Sequence, residues 1–236
     1  MEAIILAGGK GTRLGELTRL TPKPMVPVAG HPFLEYLLSE AGRRGVRRVV
    51  LSVGHFADQI EAHFGRRWHG IEIDYAHEDS PLGTGGAIAL ALASVRGERC
   101  FVLNGDTIFR VDLPAMLAFH RQHAAQLTLA LKPMTDFDRY GTVQIENGRV
   151  IGFREKSPTR EGLINGGVYL VETSLRDALP AGAFSFENDV MATRTDSLQM
   201  YGFRDDGYFI DIGIPEDYRR AGDELPKLID LTANDD

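Results

Sequence analysis

The feature that most constrains this chain is an alternation in its first half. Short apolar runs and stretches with helical spacing take turns from residue 3 to residue 123. Ala3–Ala7, Arg48–Val53 and Cys100–Leu103 read as buried strands, and Ile71–Tyr75 as a further strand. Between them, Phe33–Arg44 puts Leu34, Leu37, Leu38 and Ala41 on one helical face. Ala57–Phe64 and Leu113–His123 also read as helices, and Gly85–Val95 as an Ala-rich one. Strands that alternate with helices imply parallel βαβ units, with helices on both faces of an α/β sheet.

The second half changes style. Leu127–Lys132, Thr142–Ile145, Val150–Phe153 and Leu163–Val171 are strand-like, and Asn147-Gly148 between two of them is a hairpin signal. Antiparallel additions to the mostly parallel sheet are therefore expected. Pro215–Leu228 reads as a helix with proline at its first position. No linker, repeat or low-complexity tract interrupts the chain, so one domain over residues 1–230 is expected, with 231–236 as a frayed acidic tail.

Composition removes several function classes. A net charge of −7 argues against a general nucleic-acid surface, so any bound phosphate must meet local positive charge and backbone amides. The single cysteine, Cys100, excludes an intrachain disulfide framework and a Cys-rich zinc site, and its apolar neighbours point to packing. His120 and His123 share a helix face, and a solvated face is the expectation there rather than a metal site. No apolar run approaches membrane-spanning length, and the N-terminus lacks the basic segment of a signal peptide. The expected compartment is the cytoplasm, with no membrane partner.

Directly after the first strand comes Leu6-Ala7-Gly8-Gly9-Lys10-Gly11-Thr12-Arg13-Leu14. A glycine-rich loop at the carboxyl end of a first strand is where an α/β sheet binds ligands. Its glycines let free N–H groups approach a phosphate, and Arg13 can add a bidentate grip. Neither G-x-G-x-x-G nor G-x-x-x-x-G-K-[ST] is present, which sets aside the dinucleotide fingerprint and the P-loop. Then follows Thr21-Pro22-Lys23-Pro24-Met25-Val26-Pro27-Val28, in which prolines on both sides fix the backbone of Lys23 and remove helix as an option.

Those two segments together resemble the signature of the sugar-1-phosphate nucleotidylyltransferases. The resemblance implies a Rossmann-like core whose first loop (Leu6, Ala7, Gly8, Gly9, Gly11, Thr12 and Arg13) wraps a nucleoside triphosphate. Arg13 would hold the departing pyrophosphate part, and Lys23 would bridge the reacting phosphates. Glu78-Asp79-Ser80-Pro81-Leu82-Gly83-Thr84-Gly85-Gly86-Ala87 is similar to the family's base pocket, with Glu78, Pro81, Gly83 and Thr84 as its contacts. The glycines there suit flat approach by a base. A carboxylate such as Glu78 suits the adjacent N–H donors of guanine, which favours GTP.

Asn104-Gly105-Asp106 ends an apolar strand, where an aspartate is placed to hold Mg²⁺. Asp211 is the one charge in Tyr208–Pro215, within a stretch resembling the family's D-x-G-x-P-x-D-Y element. By that resemblance Asp106 and Asp211 are the metal ligands. Tyr140–Val143, Glu155-Lys156, Asn165–Tyr169 and Phe186–Asp189 resemble sugar-site elements. Gly141, Glu155 and Asn165 would meet sugar hydroxyls, Lys156 the sugar phosphate, and Asn104 and Asp189 lie on the same side. Arg13, Lys23, Asp106, Lys156 and Asp211 form the implied catalytic set.

In length and in its late motifs the chain is most similar to the compact heptose 1-phosphate guanylyltransferases. That branch implies GDP-heptose as product, feeding a capsule or surface-layer glycan. Short uridylyl- or thymidylyltransferases acting on N-acetylmuramic acid or glucose 1-phosphate are the alternative within the class, and a non-catalytic sugar-nucleotide sensor the alternative outside it. Small members of the family often associate, so a homo-oligomer is compatible with the resemblance.

Overall fold

The computed structural model describes residues 1–9, 15, 18 and 20–231. Gly11, Thr12 and Arg13, expected to grip phosphate, lie outside the described residues, as does the tail from 232 to 236.

The alternation appears as expected. It runs β1 (Glu2–Leu6), α1 (Phe33–Arg43), β2 (Arg48–Val53), α2 (Ala57–Phe64), β3 (Ile71–His77), α3 (Gly83–Leu92) and β4 (Arg99–Asn104). A short strand β5 (Thr107–Phe109) and α4 (Leu113–Gln122) follow. The second half holds β6 (Leu127–Phe137), β7 (Thr142–Glu146), β8 (Arg149–Arg154), β9 (Thr159–Glu172), β10 (Met200–Arg204), β11 (Phe209–Asp211) and α5 (Pro215–Leu228). No described helix is long and apolar enough to cross a membrane.

The main sheet has the order β7-β8-β10-β6-β9-β4-β1-β2-β3, closed at one edge by the two-residue strand Arg67–Trp68. Neighbours from β4 to β3 are parallel. β9 joins antiparallel to β4 and to β6, and β7 and β8 form the hairpin that Asn147-Gly148 announced. Both turn residues have positive φ, 50° and 81°, which a two-residue hairpin turn demands.

Successive strand residues point to opposite faces, and two cores result. Ala3, Ile5, Val49 and Leu51 face α1, α4 and α5. Ile4, Val50 and Val102 face α3 and the segment Phe186–Met191. This is why the strands read as unbroken apolar runs: neither face meets water.

Two expectations are corrected. The prolines around Lys23 leave room for one 3₁₀ turn, Lys23–Met25, because its bonds use N–H groups that are not proline's: Met25 donates to the Pro22 carbonyl at 2.8 Å and Val26 to the Lys23 carbonyl at 3.2 Å. His120 is buried rather than solvated, at 1% exposure. Its ring reaches Thr128 Oγ1 at 2.7 Å and Glu172 Oε1 at 3.1 Å, partners on β6 and β9 that helix spacing could not reveal.

Candidate active site

The carboxyl ends of β1, β2, β3 and β4 converge on a cleft of 780 Å³. Leu6, Gly8 and Gly9 line it from the loop after β1, and Gly54 and His55 from the loop after β2. Glu78, Pro81, Gly83 and Thr84 come from the β3–α3 connection, and Asn104, Gly105 and Asp106 from the end of β4. Lys23 and Pro24 close one side. Ala7 is buried beside the cleft, its N–H donating to the Ser52 carbonyl at 2.8 Å. Gly8 has to be small, because a Cβ there would stand 2.6 Å from Glu78 Oε1. Gly9 has open space around it.

The charged centre joins three residues far apart in sequence. Lys23 Nζ donates to Asp106 Oδ2 at 2.5 Å and lies 4.0 Å from Asp211 Oδ1. Two features of the backbone set this up. Gly105 donates its N–H to the Leu6 carbonyl at 3.1 Å, and a Cβ there would collide with that oxygen at 2.3 Å. Only glycine lets the chain turn so closely over β1. β11 then pairs antiparallel with β5, setting Asp211 opposite Thr107, and the Ile212 N–H donates to the Asp106 carbonyl at 3.0 Å. The ladder thus holds the two carboxylates side by side.

Burial raises the Asp211 carboxyl above the usual carboxylate range, and the charge of Asp106 raises it further. Lys23, the Gly213 N–H and Arg139 pull the other way. The donors offered here are hard carboxylate oxygens, two of them compressed together, which suits a divalent cation such as Mg²⁺. Among the described residues no group of three or more His, Cys, Asp or Glu side chains could hold a metal ion. Asp106 and Asp211 are the two carboxylates that would hold such a cation.

In the β3–α3 connection, Glu78 is already engaged. Its Oε1 accepts from Ser52 Oγ at 3.2 Å and its Oε2 from the Leu82 N–H at 3.0 Å, so its carboxylate is fixed against the cleft wall. Thr84 donates to Glu187 Oε2 at 2.5 Å and accepts from the Phe186 N–H at 2.9 Å. The neighbouring glycines serve protein packing: a Cβ on Gly85 would meet the Phe184 ring at 2.1 Å, and one on Gly86 the Gly182 carbonyl at 2.6 Å.

The Asn165-Gly166-Gly167 segment is a bulge in β9, where the register against β6 shifts. Asn165 Oδ1 accepts from the Gly167 N–H at 3.1 Å, and its Nδ2 donates to Tyr169 at 2.9 Å. Gly167, at φ 71°, presses on Asn104. Asn104 Oδ1 is buried in the cleft wall and meets no hydrogen-bond donor among the described residues. Gly141 packs on the Arg154 carbonyl. Glu155 and Lys156 are exposed on the connection between β8 and β9. Asp189 is exposed too, and its Oδ2 accepts from the Ser185 N–H at 2.8 Å. These last four do not line the cleft. Glu187, which sequence reading passed over for Asp189, is the acid of that segment that faces Thr84 and Tyr169.

Glycines at the end of β1 beside a lysine and paired aspartates fit a group-transfer enzyme, and the nucleotidyl transferase family model matches residues 2–227: the chain belongs to that family. It is 47% identical to the D-glycero-α-D-manno-heptose 1-phosphate guanylyltransferase of Aneurinibacillus thermoaerophilus, covering 97% of this chain and 100% of that one. With the Campylobacter jejuni protein of the same name it shares 43% identity, over 92% and 97% of the two chains. Among solved structures, HddC from Yersinia pseudotuberculosis complexed with GMP-PN superposes with a TM-score of 0.85 at 34% identity, over 95% of this chain and 99% of that one.

Proposed function

We propose that this enzyme transfers the guanylyl group of GTP to D-glycero-α-D-manno-heptose 1-phosphate, forming GDP-heptose and pyrophosphate. The observation that carries the reading is the Lys23–Asp106 pair on the wall of a glycine-lined cleft, with Asp211 4.0 Å from Lys23. The choice of guanine and heptose rests on the activity named for the relatives at 47% and 43% identity, with near-complete coverage.

In the proposed reaction an oxygen of the sugar phosphate attacks the α-phosphorus of GTP in line. The bond from that phosphorus to the bridging oxygen of the β-phosphate breaks, and pyrophosphate leaves with the electron pair. The attacking phosphate is already anionic, so no strong general base is needed, and positioning with charge neutralisation supplies the rate. Lys23, held between its prolines, is the preorganised cation for the charge gathering on the transferring group. Its partner Asp106 would release it to the phosphates as they bind. Mg²⁺ held by Asp106 and Asp211 would supply further neutralisation at the α-phosphate. Arg13 is assigned to the pyrophosphate part. Glu78 is assigned to guanine, its carboxylate prealigned by Ser52 and the Leu82 N–H. Asn104, Gly141, Glu155, Asn165 and Asp189 are assigned to the sugar and Lys156 to its phosphate.

The test is pyrophosphate release from each of four nucleoside triphosphates against a panel of sugar 1-phosphates. GTP with the heptose 1-phosphate should give the highest kcat/KM. Faster turnover of UTP or dTTP with another sugar phosphate would overturn the specificity. Asp106→Asn should lower kcat by about 10²-fold or more while circular dichroism stays that of the wild type. Near-normal turnover in that variant would remove Asp106 from the metal site.

A further inference from the structure

A chain of contacts runs behind the cleft wall and meets the cleft at both ends. Thr84 and Asn104 line the cleft, whereas Glu187, Tyr169, Asn165 and Gly167, which join them, do not. Thr84 and Ser185 donate to Glu187 Oε2 at 2.5 and 3.1 Å. The Tyr169 hydroxyl reaches Glu187 Oε1 at 3.5 Å and accepts from Asn165 Nδ2 at 2.9 Å. Asn165 Oδ1 in turn accepts from the Gly167 N–H at 3.1 Å. Gly167 bears on the Asn104 side chain so closely that a Cβ would come within 2.7 Å of Nδ2. The last atom, Asn104 Oδ1, is buried and meets no donor among the described residues.

This chain has a direction, and Glu187 sets it. A carboxylate accepts at both oxygens. Burial, and then the charge of Glu187, push the Tyr169 phenol well above its ordinary range, so it keeps its proton. That O–H points at Oε1, which leaves the phenol oxygen to accept and Asn165 to present its NH₂ group. The Asn165 carbonyl is thereby turned to the Gly167 N–H. An amide held the other way would set NH₂ against N–H. Glu187 thus fixes Gly167, and Gly167 fixes the place of the Asn104 side chain.

A buried acceptor without a donor is costly, and Asn104 Oδ1 stands at the edge of a cleft assigned to a substrate rich in hydroxyls. We infer that Glu187 is a positioning residue: through Tyr169, Asn165 and Gly167 it orients the Asn104 carbonyl oxygen to accept a hydroxyl of the sugar substrate. The inference rests on the sugar 1-phosphate transfer proposed above.

Glu187→Gln keeps the shape and breaks the direction. Two hydroxyls point at Oε2 and one at Oε1, so the amide oxygen takes the Oε2 place and its NH₂ faces Tyr169. The Tyr169 O–H then lacks an acceptor unless Asn165 turns over, against Gly167. Steady-state kinetics with the best sugar 1-phosphate should show its KM raised about ten-fold, the size expected when a buried polar group loses its partner. The KM for GTP and kcat should stay at wild-type values, and circular dichroism should show the fold intact. Tyr169→Phe, which cuts the same chain, should raise the same KM, and the double variant should be no worse than Tyr169→Phe alone. A role in packing alone would lower the thermal midpoint without moving the KM of one substrate. The inference fails if Glu187→Gln keeps the wild-type KM for the sugar phosphate, if only the KM for GTP rises, or if the two single effects multiply in the double variant. Absence of turnover in wild type with every sugar 1-phosphate is a different result, which overturns the transfer reaction and the inference with it.

Discussion

Buried between α4 and the sheet, His120 titrates differently from a surface histidine. Burial lowers its proton affinity, and the nearby Glu172 only partly restores it. Below its ordinary value of 6.5 the unfolded chain therefore takes up a proton that the folded chain declines. Its effect on stability is complete above that value and turns unfavourable as pH falls towards the depressed folded one. Between about pH 8 and pH 5, His120→Gln should lose part of the acid sensitivity of the urea midpoint seen in wild type. Parallel pH curves for the two proteins would show that His120 plays no such part. The misreading of this residue has a physical cause: i,i+3 spacing reports a helix face, whereas Thr128 and Glu172 arrive from strands distant in sequence. Lys23 and Asp106 are singled out through the family resemblance, since the residues alone favour a plain loop and an Asx turn, and Asp211 also as a lone charge in an apolar run; the structure brings the three together. Glu187 and Asp189 were indistinguishable by sequence, since only the local backbone decides which of two acids turns inward.

The glycines that open α3 gain their meaning at the level of the element. Sequence suggests flat approach by a base, but Gly85 meets the Phe184 ring and Gly86 the Gly182 carbonyl. The helix is pressed against the segment before Phe186–Met191, and Gly83, at φ 69°, makes the turn into it. Gly85→Ala should lower stability by about 1–3 kcal/mol through overpacking. Adding Phe184→Ala should return part of that loss in urea unfolding, because the two sites share one contact. Strict additivity of the two single effects would mean that the ring is not what Gly85 accommodates. The long elements were readable from their apolar period, and β7 and β8 from their turn. β5, β10 and β11 were not: β5 and β11 have three residues each, and β10 has a glycine at its centre. Their existence depends on partners, not on local propensity.

Across the whole molecule, one arginine ties the amino ends of the parallel strands together. Arg48 of β2 bonds Glu2 of β1, Asp74 of β3 and the Ser94 carbonyl after α3. Its side chain is 9% exposed, while Glu2 and Asp74 keep more contact with water. Arg48→Met should lower the free energy of unfolding by roughly 2 kcal/mol, less than the 3–5 kcal/mol for a fully buried pair because its acids stay partly solvated. The kinetic constants for guanylyl transfer should not change, since the substitution lies at the far end of the sheet. A loss of kcat at unchanged stability would show that the two ends communicate.

The pairing of β11 with β5 has a consequence for how the protein comes into being. A nascent chain that has emerged as far as Gly207 already contains the glycine loop, Lys23, the β3–α3 connection and Asp106. It lacks the strand that delivers Asp211, and with it the ladder bond from Ile212 that sets the aspartates side by side. Competence for the proposed chemistry therefore waits for the stretch after Gly207, when the segments assigned to the nucleotide have already been made.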